Sequence, residues 1–468
     1  MRHSVLAPAI ASALAAFAAS ADSGKSLRIA IDPGVTRGPV KPVNGVGQPP
    51  MVGQLRSWSM MHYLKEAGIP FSRLHDVGGW MGHGLYVDIP NLFPDIDADE
   101  NDPANYRFAF TDSLIDALVE AGVEPFFRLG VTIENWVSWP GGLPRQRIEP
   151  PKDFSKWARI CEHVIRHYTE GWANGRHYQI SHWEIWNEPD GIEDPETNGM
   201  WHGSFADYCR FYETAAKHLK AAFPHLKIGG FGSCGVGKVS CKNWNARDDY
   251  HLKCFHDFLA FVRDRGCPLD FLSFHSYCKP EEMRIEIRYV REQLEKAGFA
   301  DAETCLDEWL PTPTHDKLGT ARQAAEIAAA LTVFQNGPLD SAAIYDARCG
   351  VGDYSPLFNP LTYKPHKAYY AFTAFNKLRQ RGTAVGVSCD GPCPEAYSAA
   401  AKGADGSLAV MIANPGDDAV PFALEIAGDG KRTTASECRI TDDDRTDAEI
   451  PLPDRLPPHS FLVAIFRQ

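Results

Sequence analysis

Between about residue 43 and residue 380, short apolar runs alternate with amphipathic helical segments. The runs are "VNGVG", "IPFSRLHD", "EPFFRLG", "HWEIWNEP", "KIGGFG", "LDFLSFHSY", "ETCLDEWL" and "SAAIYDARC". Each precedes a stretch with helical spacing of apolar positions, such as "TDSLIDALVEAG" or "FADYCRFYETAAKHLKAAF". Several of these end at glycine, as in Ala121-Gly122, Arg265-Gly266 and Ala297-Gly298, the usual stop signal. Eight strand–helix units of this length predict an α/β fold of the (β/α)8 TIM-barrel type with a parallel sheet. An open doubly wound sheet is the rival, and no Gly-rich first turn supports it.

After about residue 382 the rhythm changes. "EAYSAAA", "SLAVMIANP", "VPFALEIAG", "RTTASECRI" and "SFLVAIFRQ" are strand-like runs separated by Gly, Asp and Pro, the pattern of an accessory β-sandwich. "SLRIAID" lies ahead of the first barrel unit and is expected to join the sandwich. The expected organisation is therefore 1–21 signal peptide, 22–42 a strand segment of the sandwich, 43–381 barrel and 382–468 C-terminal sandwich.

The signal-peptide reading rests on Arg2 and His3, the apolar "SVLAPAIASALAAFAAS" and the small residues Ala19 and Ala21 flanking Ser20. It predicts an exported protein, periplasmic or secreted, beginning near Asp22 and without a membrane span after cleavage. Export permits disulfides among the twelve cysteines, with Cys389/Cys393 and Cys234/Cys241 the close pairs. With 44% hydrophobic and 23% charged residues the chain is globular in composition, and a net charge of −13 disfavours nucleic acid and anionic membranes as partners.

The candidate chemistry lies at strand ends, which in a barrel feed the active site. The fourth strand runs through Trp183, Ile185 and Trp186 and then delivers Asn187 and Glu188 before Pro189. The seventh ends in Asp307, Glu308 and Trp309. These strands face each other across the mouth, so two carboxylates converge, as glycoside hydrolysis requires. Trp309 is a further candidate for substrate binding, and Trp136, in "NWVSW", for stacking on sugar. No Cys or His spacing supports a metal, and no cofactor is expected. Gly232, Gly237 and Lys238 echo a phosphate-binding loop, but Val239 stands where Ser or Thr must hold magnesium.

These motifs resemble glycoside hydrolase family 39, which includes β-xylosidases and α-L-iduronidases. "HWEIWNEPD" is similar to the family's "FEIWNEPN", "LDFLSFHSY" to "DFVSRHAY", "SRLHD" to "IRGHG", and "YKPHKAYYAF" to its last helix. The resemblance covers most of residues 43 to 380 and implies a retaining double displacement on an oligosaccharide or polysaccharide. It makes Glu188 the acid/base and Glu308 the nucleophile. Asn187 then binds the sugar 2-hydroxyl, His75 the other hydroxyls, Arg73 braces the nucleophile, Tyr277 hydrogen-bonds it, and His275 lies nearby. The chain departs from the family at "LDEWL" against "ITEYN", at Asp76 in place of Gly, and at "IYDARC" against "YWTFSD". The alternatives are a β-galactosidase, an arabinosidase, an endo-acting enzyme, or a non-catalytic carbohydrate-binding protein; a silent relative usually loses one carboxylate, and both are present here.

Overall fold

The computed structural model of the protein describes residues 27–50, 60–77, 86–131, 148–390, 397–428 and 434–467. β1 (Leu27–Pro39) precedes eight strands: β2 (Gly45–Gly47), β3 (Phe71–Leu74), β4 (Glu124–Leu129), β5 (His182–Ile185), β6 (Lys227–Ser233), β7 (Phe271–Ser276), β8 (Glu303–Trp309) and β9 (Ser341–Ile344). These eight pair in sequence order, all parallel, and β9 returns to β2 to close the barrel. The helices are α1 (Met61–Glu66), α2 (Ile89–Leu92), α3 (Ala109–Glu120), α4 (Phe154–Thr169), α5 (Phe205–Ala222), α6 (Ala246–Asp264), α7 (Pro280–Lys296), α8 (Ala321–Asn336) and α9 (Tyr369–Arg379). Local sequence sets their ends. Ser204 and Asp207 form a capping box on α5, and Asn245 and Asp248 do so on α6. Gly122, Gly266 and Gly298 follow α3, α6 and α7 with left-handed backbones.

Period-two alternation decides what the barrel encloses. Phe71, Phe126, Phe271, Cys305 and Ala343 form an apolar layer of their own. Two residues further along, the same strands carry Arg73, Arg128, Ser273 and Asp307, all buried. The barrel therefore changes from apolar to charged within one step of the pleat, toward the strands' C-terminal ends.

Among the described residues the accessory domain is one curled run of nine strands, mostly antiparallel. β10 (Thr383–Asp390), β11 (Tyr397–Lys402), β12 (Leu408–Asn414), β13 (Val420–Ile426), β14 (Glu437–Thr441), β15 (Ala448–Glu449), β16 (Arg455–Leu456) and β17 (Ser460–Phe466) join β1, which lies between β10 and β13. The β10–β11 contact is only two residue pairs long, and the strands on either side of it share one core. Leu408, Val410, Ile412, Leu462, Ala464 and Phe466 point into that core. Ala409, Met411, Ala413, Phe461, Val463 and Ile465 belong instead to the barrel's core, where α8 and α9 pack on β12 and β17. Both faces are covered, which is why these strands are continuously apolar rather than alternating. Among the described residues, no helix is long and apolar enough to cross a membrane.

Candidate active site

The run "HWEIW" is apolar because Trp183, Ile185 and Trp186 belong to the barrel's main hydrophobic core. Trp186 anchors against Trp201 and Phe211, with its indole N–H donated to the Met200 carbonyl at 2.9 Å. Beyond that anchor the backbone leaves the strand. Trp186 (φ 73°) and Glu188 (φ 44°) both adopt left-handed conformations, which non-glycine residues hold only where the surroundings enforce them. The Glu188 amide is fixed on the Gly232 carbonyl at 2.9 Å. Gly232 itself has φ +58°, and a Cβ there would stand 3.0 Å from Asn187 Oδ1 and 3.1 Å from Arg73 Nη2.

At β8 the register slips. Phe274 pairs with Leu306 and His275 with Glu308, so Asp307 has no opposite number on β7. Such a bulge re-aims side chains, and here both consecutive acids reach one guanidinium. Arg73 Nη1 donates to Glu308 Oε1 at 2.7 Å, Nε to Glu184 Oε2 at 2.8 Å and Nη2 to Asn187 Oδ1 at 2.6 Å. Arg73 Nε also lies 2.7 Å from Asp307 Oδ2. Burial alone would lower the Arg73 pKa, but Asp307, Glu184 and Glu308 raise it well above its ordinary value. The second Glu308 oxygen accepts from the Tyr277 hydroxyl at 2.7 Å.

His75 Nδ1 accepts from Arg128 Nε at 3.0 Å, and Arg128 Nη2 donates to Asp88 at 2.8 Å. Burial and then the Arg128 and Arg73 charges hold the His75 pKa well below normal, so the ring is neutral. Its proton therefore sits on Nε2, which lies 3.4 Å from Asp76 Oδ1 and 3.9 Å from Glu308 Oε1. Asp76 also accepts from the Tyr345 hydroxyl at 2.9 Å.

His275 joins the two carboxylates. Its Nδ1 is 2.7 Å from Glu188 Oε1 and 3.5 Å from Glu308 Oε2. Burial would depress this imidazole, but Glu308 and Glu188 raise it above its ordinary value. Burial would likewise raise Glu188, and the His275 hydrogen bond and charge outweigh it and hold that carboxyl low. The proton belongs to the pair rather than to either member. Glu188 keeps a 19% exposed side chain while that of Glu308 is 6% exposed, so the first is the more open to solvent. One atom each of Glu188, His275 and Glu308 lies within 4.8 Å of the others. All three are engaged with one another, Arg73 or Tyr277.

Arg73, His75, Asn187, Glu188, His275, Tyr277 and Glu308 thus meet at one place. Trp309 does not: its indole is fully buried and packs edge-on against Phe334 of α8 at 4.8 Å. The bulge spends the inward positions on Asp307 and Glu308, and Trp309 turns to the helices. Trp136 and residues 1–21 lie outside the described residues. The close pair Cys234 and Cys241 is not joined, and all described cysteines are free. Cys234 faces Glu188 instead, and burial followed by the Asp190 and Glu188 charges pushes its thiol well up; Cys241 lies by Ser240 Oγ. Cys393 is outside the described residues. Lys238, of the phosphate-loop echo, is held by Asp249 and lies over Trp244.

Glu184, Arg128 and Tyr345 are site residues that motif matching passes over. Alternation would have found the first two. Glu184 is two residues from His182, and Arg128 two from Phe126, each a polar group inside an apolar strand.

The family model described as "Glycosyl hydrolases family 39" matches residues 56–317. A β-xylosidase of Geobacillus stearothermophilus is 26% identical over 284 residues, covering 54% of this chain and 50% of that protein. An α-L-iduronidase of Homo sapiens is 24% identical over 212 residues, 44% of this chain and 29% of that protein. The matches thus span about half or less of these curated relatives. A glucosidase structure from Croceicoccus marinus superposes with a TM-score of 0.74 at 20% identity, over 95% of this chain and 99% of that one, a likeness of fold.

Proposed function

Because the chain belongs to glycosyl hydrolases family 39, we propose that it is a retaining glycosidase acting on a β-xyloside, with Glu308 as nucleophile and Glu188 as acid/base. The observation that carries this is the spacing: oxygens of the two carboxylates lie within 4.8 Å. Retaining enzymes hold their carboxyl groups about 5–5.5 Å apart, and inverting ones about 6.5–9.5 Å apart to admit a water. The environments divide the labour. Glu308 receives Arg73 and Tyr277, both donors, which hold and aim its two oxygens. Glu188 shares a proton with His275 and reaches solvent, as a group that first gives and later takes a proton must.

In the first step Glu308 attacks the anomeric carbon while the leaving oxygen takes the proton of the Glu188–His275 pair. In the second, Glu188 takes a proton from water, which breaks the glycosyl–Glu308 bond and restores the anomeric configuration. Asn187, oriented by Arg73, meets the 2-hydroxyl. The β-xyloside assignment rests on likeness to the β-xylosidase relative. The non-catalytic alternative is disfavoured because both carboxylates keep their partners. A panel of aryl glycosides followed by proton NMR tests the reading: the β-xyloside should be cleaved fastest and release β-xylose first. Release of α-xylose would overturn retention, and faster cleavage of another sugar would overturn the substrate. The signal-peptide reading adds that the enzyme acts after export, which N-terminal sequencing of exported protein, expected to begin at Asp22, tests.

A further inference from the structure

The bulge in β8 brings to Arg73 one carboxyl more than hydrolysis needs. Asp307 is 2% exposed and does not fit the donor count around it. Glu308 accepts from Arg73 and Tyr277, each at 2.7 Å. Glu184 accepts from Arg73 Nε at 2.8 Å and from Ser273 Oγ at 2.6 Å. Neither oxygen of Asp307 receives a hydrogen bond. Arg73 Nε is 2.7 Å from its Oδ2 but directs its N–H to Glu184, and His275 Nε2 stands 3.6 Å from its Oδ1.

A carboxylate can only accept, and a dry carboxylate that nothing donates to is costly; a carboxylic acid can donate. We propose that Asp307 is kept as a neutral carboxylic acid that donates its proton to Glu184, and that this leaves the Arg73 guanidinium to serve the nucleophile. Asp307 is then a positioning residue, acting through Glu184 and Arg73, and the inference rests on the reading of Glu308 as nucleophile. Charge supports it. The groups facing Asp307 are Arg73 from β3, Glu184 from β5, His275 from β7, and Cys305 and Glu308 on its own strand. Three ionised carboxylates on one buried guanidinium would leave two uncompensated negative charges, and one retained proton halves that. Burial, with Glu184 and Glu308 adding to it, pushes the Asp307 carboxyl well above the usual range despite Arg73. Burial would raise Glu184, and the Arg73 charge first, then Asp307 and Ser273, hold it low, as a proton acceptor requires.

Two variants and one spectrum test this. Asp307→Asn keeps a neutral donor and should hold kcat/KM within about tenfold. Asp307→Leu has similar size and no donor, leaves Glu184 short of a partner, and should lower kcat a further 10–100-fold or so with KM little changed. Infrared difference spectra of the wild-type protein should show a protonated-carboxyl C=O band that persists through neutral pH, disappears in Asp307→Asn and survives in Glu188→Gln. Absence of a band assignable to Asp307, or equal losses in Asn and Leu variants that both fold, would overturn the inference. The band needs no substrate, so it separates this idea from the nucleophile assignment, whose failure would appear as an active Glu308→Gln enzyme with the band intact.

Discussion

At the N-terminal end of the barrel one carboxylate, Glu303, meets one cation, Lys227, and the His182 ring at 2.9 Å. At the C-terminal end one guanidinium, Arg73, meets three carboxylates. The first arrangement is what stability alone would select. Burial would raise Glu303, yet its two partners bring its pKa down to about 2, and it is ionised throughout the working range. The second leaves negative charge in excess, raises Asp307 and forces protons to be shared. The same fold thus holds a balanced cluster where strands begin and an unbalanced one where they end. The proposed chemistry falls at the second, because a group with a perturbed proton is one that can give it away. The predictions set these ends against each other.

The largest effect should come from Glu308. Glu308→Ala should lower kcat/KM by about four orders of magnitude or more on every glycoside, since no other group can form the bond to the sugar. Azide should then give product of inverted configuration. Glu188→Ala should cost about 10²–10⁴-fold on a poor leaving group and far less in glycosylation by an activated aryl glycoside. That variant should accumulate glycosyl-enzyme, and azide should restore turnover with retained configuration. Comparable losses on both substrate types would break the division of roles.

A smaller effect concerns pH. The Glu188–His275 pair should hold its proton to above the ordinary histidine value of about 6.5, because Glu308 and Glu188 raise His275. The alkaline limb of kcat/KM should reflect this. His275→Gln should move that limb to lower pH, since the proton then rests on a carboxyl alone. An unmoved limb would mean that His275 does not share it.

The smallest effect should come from the balanced end. Lys227→Met should leave kcat nearly unchanged and cost about 1 kcal/mol of stability at neutral pH. The sign with pH follows from Glu303. Its folded pKa of about 2 lies below the unfolded value, so its contribution is complete above about pH 4.3 and is lost as pH falls toward 2. Melting temperatures of variant and wild type should therefore converge in acid. A variant inactive at neutral pH but fully folded would contradict the separation of the two ends.

The barrel was legible because its eight apolar runs and glycine stops are local signals, and Glu188 because it follows an apolar strand that Pro189 cuts short. What escaped was set by long-range geometry. β10 has only Val385 and Val387 in alternation, and takes its place by pairing with β1, more than three hundred residues earlier in the chain. Trp309 turns away from the site because the β8 bulge, which no residue type announces, gives the inward positions to Asp307 and Glu308. Cys234 suggested a disulfide from nearness in sequence, while its position at the end of β6 turns it toward Glu188. Asp307 was visible as a departure from the family pattern, but only the donor count around Arg73 gives that departure a meaning.

The central claim is that Glu308 bonds covalently to the sugar. A 2-deoxy-2-fluoro-β-xyloside with a good leaving group slows the second step more than the first and should trap that species. Peptide mass spectrometry should then find one fluoroxylosyl group per chain, on Glu308, with the label abolished in Glu308→Gln. A label on Glu188, or complete turnover of wild-type enzyme with no labelled peptide, would contradict the account.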